Sequence, residues 1–134
     1  MLLSEYSKGR LKASFSKWGV DKDFADPMYN YLVYGYEPGS FFTAVLANDF
    51  MRAVGSSHPS NTITALKKLV GWINDYMPVD AYGSYTTVKE WCCLDEEDRR
   101  TCLVQHHLIY TPKEETWKIL KDDPVENYVE LENI

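Results

Sequence analysis

The chain has 134 residues, 45% hydrophobic and 25% charged, which is ordinary composition for one globular domain and excludes a disordered or fibrous chain. A net charge of −6 argues against direct phosphate-backbone binding of nucleic acid. No apolar run approaches the roughly 20 residues that cross a bilayer, so a membrane-spanning role is not expected either.

In chain order, residues 3–18 have the spacing of a short basic amphipathic helix, with Leu3, Leu11, Phe15 and Trp18 on one side and Gly9 weakening it. Asp21 or Asp23 caps a second helix whose apolar positions Phe24, Met28, Tyr31 and Leu32 recur at helical spacing. Pro27 belongs in its first turn, and Gly35 is a natural left-handed stop. Glu37-Pro38-Gly39 then turns the chain, and Ser40 is expected to cap a third helix over Phe41–Val54. Its inward stripe is Phe42, Val45, Leu46, Phe50 and Ala53. Phe41 and Ala44 make the opposite side apolar too, as in a central helix.

Gly55-Ser56-Ser57 ends that element, and His58-Pro59 is read as the start of a fourth helix. Ile63, Leu66, Val70, Ile73 and Met77 repeat along it at three- and four-residue steps. Pro78–Gly83 is a loop. Ser84 caps a fifth helix with Val88, Trp91 and Cys92 inward. Asp95-Glu96-Glu97-Asp98 favours the start of a sixth, running to about Leu108, because the helix dipole stabilises carboxylates there. Beyond Pro112, Glu114–Lys121 is compatible with one more short helix, and Tyr128–Leu131 alternates enough for a strand or an extended arm. The expected fold is therefore mainly α: a single-domain bundle of five or six helices over residues 1–134, with an optional short extended C-terminal element.

Chemistry-bearing constellations are sparse. Three cysteines, Cys92, Cys93 and Cys102, form an odd set without a CxxC pair, pointing to a reducing interior. Cys102 and His106 share a helix face, but a structural zinc site needs a second short-spaced pair, so no metal is expected. No cysteine carries a nucleophile signature beside His58, His106 or His107, and the carboxylate pairs are local rather than set across a cleft. No phosphate-cradling glycine loop is present, and neither a catalytic residue nor a cofactor is assigned. Asn48-Asp49 stands out, because a polar pair on an otherwise apolar helix is costly unless satisfied. Asp49 is read as lying at the helix's solvent edge or capping a neighbouring helix start such as Ser84, with a ligand-binding carboxylate as the sharper alternative.

Charge is uneven along the chain. Residues 1–20 hold four cations against one carboxylate, whereas residues 111–134 hold seven carboxylates against three lysines. The run is read as solvation, as a clasp between the two ends, or as an acidic tail that meets a basic partner. Ten Tyr, five Phe and four Trp supply core rings, and rings of these kinds also enrich protein-binding surfaces.

The stretch Tyr31–Asp49, YLVYGYEPGSFFTAVLAND, resembles a family of small uncharacterised proteins of tailed bacteriophages and prophages with a G-x-x-PGSF-x-x-AVL-x-ND core. The likeness continues through Asn61, Leu69-Val70, Trp72-Ile73, Pro78, Gly83-Ser84, Val88 and Trp91, placing a shared helical module at about 23–94. The helix and acidic tail at about 95–134 depart from that pattern, as does the longer N-terminal leader. The resemblance implies a phage origin and no transferable activity. Met1-Leu2-Leu3 is followed at once by polar residues, which gives no secretory stretch, so the expected location is the host cytoplasm.

Two functional expectations from different classes follow, with a third beside them. The first is a non-enzymatic phage protein that binds a host or phage protein with a basic surface, modulating or inhibiting it in host takeover or counter-defence. Its contact residues would be Trp117, Asp122, Asp123, Glu126, Tyr128, Glu130 and Glu132. The second is a small-ligand binder or enzyme with a pocket near Asp49, His58 and Tyr82. The third is a self-assembling structural or virion-associated protein, for which a homo-oligomer is the natural state.

Overall fold

The computed structural model describes residues 5–58, 61–106 and 108. Among them the chain forms seven α-helices and two short 3-10 turns: α1 (Glu5–Trp18), α2 (Ala25–Tyr34), α3 (Ser40–Leu46), α4 (Phe50–Ser56), α5 (Ile63–Tyr76), α6 (Tyr85–Cys93) and α7 (Glu96–Gln105). The mainly α expectation is met. The extra helix arises because the expected third helix is two. The tail residues Trp117, Asp122, Asp123, Glu126, Tyr128, Glu130 and Glu132 lie outside the described residues, as do the expected strand and short helix beyond Pro112.

Local chemistry sets most boundaries. Asp21 accepts the Asp23 N–H at 2.9 Å and opens the 3-10 turn Lys22–Phe24 that leads into α2. Gly35 ends α2 in the left-handed region at φ 68°. Ser84 and Asp95 accept the N–H groups of Thr87 and Asp98 at the starts of α6 and α7. At α3 the cap position falls on Gly39 rather than Ser40, and the turn is held by the Thr43 hydroxyl donating to Pro38 O at 3.0 Å.

The central element is α2, not α3. Six of its ten residues are buried, and it packs against α1, α6 and α7. Tyr31 sits at its centre, fully buried, donating its hydroxyl to Ala81 O at 2.7 Å. Its own carbonyl accepts the Trp91 indole N–H at 3.1 Å, so one residue ties α2 to α6 and to the loop before it. Burial pushes the Tyr31 phenol far above its ordinary range, so it stays neutral and acts as a fixed donor. Phe15 of α1 meets Trp72 of α5 edge-on at 4.7 Å, and the Trp72 indole N–H donates to Ser14 Oγ at 2.9 Å.

Arg99 closes the frame. It is 6% exposed, and its guanidinium donates to Val33 O and Tyr34 O at 3.1 Å each and also to Leu94 O. These carbonyls stand at the C-terminal ends of α2 and α6, where helix dipoles concentrate negative charge. A buried cation without a carboxylate is thereby satisfied. The absence of a side chain at residue 35 makes room for it: a Cβ there would lie 2.7 Å from Arg99 Nη1.

Helix α5 departs from expectation in start and facing. It begins at Ile63 because Thr62 accepts the Ala65 N–H at 3.0 Å, not at His58-Pro59. Leu69, Trp72 and Ile73 are buried, whereas Ile63 is 62% and Val70 is 38% exposed. Trp72 and Leu69 claim the core, and of the regular aliphatic stripe Ile63 and Val70 are left exposed while Ile73 and Met77 stay buried.

Arg99→Lys keeps the charge but cannot reach three carbonyls, so it should lower unfolding free energy by about 2 kcal/mol in urea denaturation. Gly35→Ala should also destabilise, since a left-handed alanine alone costs about 1 kcal/mol before the guanidinium is displaced. Wild-type stability in both variants would contradict the clamp.

Candidate functional site

The break between α3 and α4 follows from two adjacent polar residues. Asn48 takes the left-handed conformation at φ 62°, which asparagine tolerates better than other side-chain-bearing residues. Asp49 N–H donates to Ala44 O at 2.9 Å and Asn48 N–H to Val45 O at 3.2 Å, the paired reverse bonds of a Schellman stop. Asp49 then caps α4, its Oδ1 accepting the Arg52 N–H at 3.2 Å. The capping expectation holds for a different helix: α4 begins at the next residue, while Ser84 caps α6 by itself.

The break frees Leu46 O. In a continuous helix it would accept from residue 50; here it accepts the Gly83 N–H at 2.7 Å, drawing the loop before α6 against the end of α3. Tyr85, the first residue of α6, donates its hydroxyl to Asp49 Oδ2 at 2.7 Å. These bonds hold the Asp49 carboxyl below its ordinary range, the Tyr85 bond foremost. The Tyr85 phenol is raised in turn, chiefly by the same bond.

Between α3, α4, α5 and the Tyr82-Gly83 loop lies an open groove of about 290 Å³. Its floor is apolar, with Val45, Leu46, Ala53, Leu66, Val70 and Ile73. Its rim carries Asn48, Asp49, Asn74 and Tyr82. Phe50, expected in the core, is instead 64% exposed and forms a wall of the groove, because the break turns α4 away from the inward stripe. Met51 beside it is 81% exposed, and Ala53 is the one buried residue of α4. A hollow of about 20 Å³ around Val54, Ile63 and Leu66 continues the apolar surface along α4 and α5.

Of the expected pocket residues, Asp49 and Tyr82 both line the groove, and His58 is not among its lining residues. The stretch Gly35–Asp49 thus contributes Asn48 and Asp49 to a concave surface rather than to the middle of a helix. Phe50, Asn74 and Val70 were missed as groove residues. An Asn-Asp pair inside an apolar run was the available signal for the break, since asparagine suits a helix stop and aspartate a helix start.

The cysteines stand apart. Burial raises the Cys92 and Cys102 thiols, with Glu37 and Asp80 respectively adding to it, so the thiolate that nucleophilic or zinc chemistry needs is disfavoured. Cys102 Sγ donates to Asp80 Oδ2 at 3.8 Å. Among the described residues no group of three or more His, Cys, Asp or Glu side chains could hold a metal, and no helix is long and apolar enough to cross a membrane.

No family model matches the chain, and no curated protein and no solved structure is significantly similar to it. The resemblance to phage proteins therefore rests on its motif residues alone.

Asp49→Asn should retain the cap and most of the stability, whereas Asp49→Ala should lower the thermal midpoint measurably. The folded-state pKa of Asp49 is depressed, so its contribution is complete above the unfolded value of about 4 and is lost as pH falls through the folded value. The wild-type advantage over Asp49→Asn should accordingly shrink on acidification below pH 4 in thermal melts; a gap independent of pH would contradict this role.

Proposed function

We propose that this is a non-enzymatic phage protein that binds a host or phage protein in the host cytoplasm and modulates or inhibits it. The observation that carries the reading is the apolar surface at the helix break. Phe50, Met51 and Ile63, each more than 60% exposed, stand on α4 and α5, with Phe50 lining the groove and Ile63 the hollow beside it. Exposed apolar side chains gathered around a concavity with a polar rim are the anatomy of a contact surface, with bulky anchors at its centre. The acidic tail is the second element of the proposal. Its excess of four negative charges would steer a basic partner toward the apolar surface at low ionic strength.

A second reading, a small-ligand binder, draws support from the same groove, which brings Asp49 and Tyr82 together. Thermal-shift screening separates the two. A nucleotide or metal ion at 100 times its dissociation constant would add about 2.7 kcal/mol and a shift of several degrees.

Affinity capture from host lysate tests the protein-binding reading. A partner held by the wild type should be lost from a Phe50→Ser, Met51→Ser double variant and weakened by truncation from Lys121 onward. Equal capture by all three proteins would refute the proposed surfaces.

A further inference from the structure

We infer that the groove at the α3–α4 break receives an extended peptide segment carrying one large apolar side chain beside a basic residue. The inference rests on the protein-binding reading and specifies the chemistry of the partner. Three features of the groove lead to it.

The first is size. A volume of about 290 Å³ stands at the bottom of the range that holds drug-sized ligands, which leaves room for one or two side chains rather than a dinucleotide-sized cofactor. The apolar floor of Leu46, Ala53, Leu66, Val70 and Ile73 suits an aliphatic side chain such as leucine.

The second is the rim. Asn48, at the helix break, and Asn74, on α5, both line the groove and bring carboxamides to it, and Tyr82, which also lines it, brings a hydroxyl. Among the described residues none of these three side chains makes a hydrogen bond within the fold. A carboxamide offers a donor and an acceptor side by side, the pair that one peptide unit of an extended backbone requires. A helix arriving in the groove would have its backbone groups already satisfied and no use for the two amides, whereas an extended segment leaves its N–H and C=O groups open.

The third is charge. Among the described residues Asp49 is the one charged residue lining the groove, and the Arg52 N–H and the Tyr85 hydroxyl each take one lone pair on a different oxygen of its carboxylate. A carboxylate accepts about four hydrogen bonds, so capacity for an incoming ammonium or guanidinium remains. The Arg52 side chain, exposed in the first turn of α4, competes for the same carboxylate and sets the strength of the preference.

The test is a titration of the ¹⁵N-labelled full chain with three blocked peptides, Ac-Gly-Ser-Lys-Leu-Ser-Gly-NH2 and its Glu-Leu and Lys-Ala counterparts, followed by amide chemical shifts. The Lys-Leu peptide should move the Asn48, Asp49, Asn74 and Gly83 amides with a dissociation constant on the order of 1 mM or below. Replacing Leu by Ala should weaken it about tenfold or more. Asp49→Asn, which keeps the helix cap, should weaken it about two- to fivefold, and Arg52→Gln should strengthen it. Absent shifts, shifts elsewhere on the protein, or equal affinity for the Glu-Leu peptide would each overturn the inference. If the peptide fails to bind while lysate capture still depends on Phe50 and Met51, this inference falls and the protein-binding reading stands. If both fail, the two fall together.

Discussion

The site hangs on one backbone event, the Schellman stop at Asn48. A single residue at φ 62° ends α3 and lets Asp49 start a new helix in a different direction. Because α4 turns away, the Leu46 carbonyl is released to bind Gly83, and the loop before α6 is pulled in beside α3. Tyr85 completes the arrangement by bonding across to Asp49. The groove is therefore the space that a straight helix would have closed. Its apolar floor is formed by Val45 and Leu46 of α3 and by Leu66, Val70 and Ile73 of α5, and its wall, Phe50, is a side chain that a continuous helix would have pointed inward.

Behind the groove stands a stiffer frame. Helix α2 is buried along most of its length, and Tyr31 and Arg99 bind its neighbours through backbone carbonyls rather than through ion pairs. Such bonds fix helix ends relative to one another, because a carbonyl at a helix terminus has a set direction. α4 contributes no residue to the hydrophobic core that unites the other helices and packs chiefly on α3. α4 is thus carried on α3 and free to present its outer side chains, Phe50 and Met51, without removing residues from the core.

Much of this was legible in the sequence where one residue decides locally. The stop at Gly35, the cap at Ser84 and the helix start at Asp95 depend on a short side chain or on glycine, and each appears where its chemistry places it. Asp21, by contrast, caps the 3-10 turn before α2 and not α2 itself, whose cap position, Phe24, makes no side-chain bond. The helix break was hidden because Phe42, Val45, Leu46, Phe50 and Ala53 keep a helical period across it, and periodicity outweighed the Asn-Asp punctuation. The facing of the first half of α5 was misread for a related reason, while Ile73 and Met77 are buried as their spacing predicts. Its aliphatic stripe is regular, yet the bulk of Trp72 and its bond to Ser14 decide which side turns inward. Arg99 escaped notice because arginine in an acidic helix start reads as solvated; only the three-dimensional meeting of two helix ends makes it a buried clamp. The groove is a product of those non-local choices. Asp49 and Tyr82 could be named as candidates, but Asn74, Val70 and Phe50 join them only after α4 and α5 are placed.

The most direct measurement is the backbone geometry at residues 46–50 in solution, from NMR couplings and chemical shifts of the ¹³C,¹⁵N-labelled chain. A positive φ at Asn48, together with a scalar coupling across the Gly83 N–H to Leu46 carbonyl hydrogen bond, is the expected result. Helical shifts running unbroken from Ser40 to Ser56, with Leu46 O bonded to the Phe50 N–H, would contradict the account, because no groove would then exist.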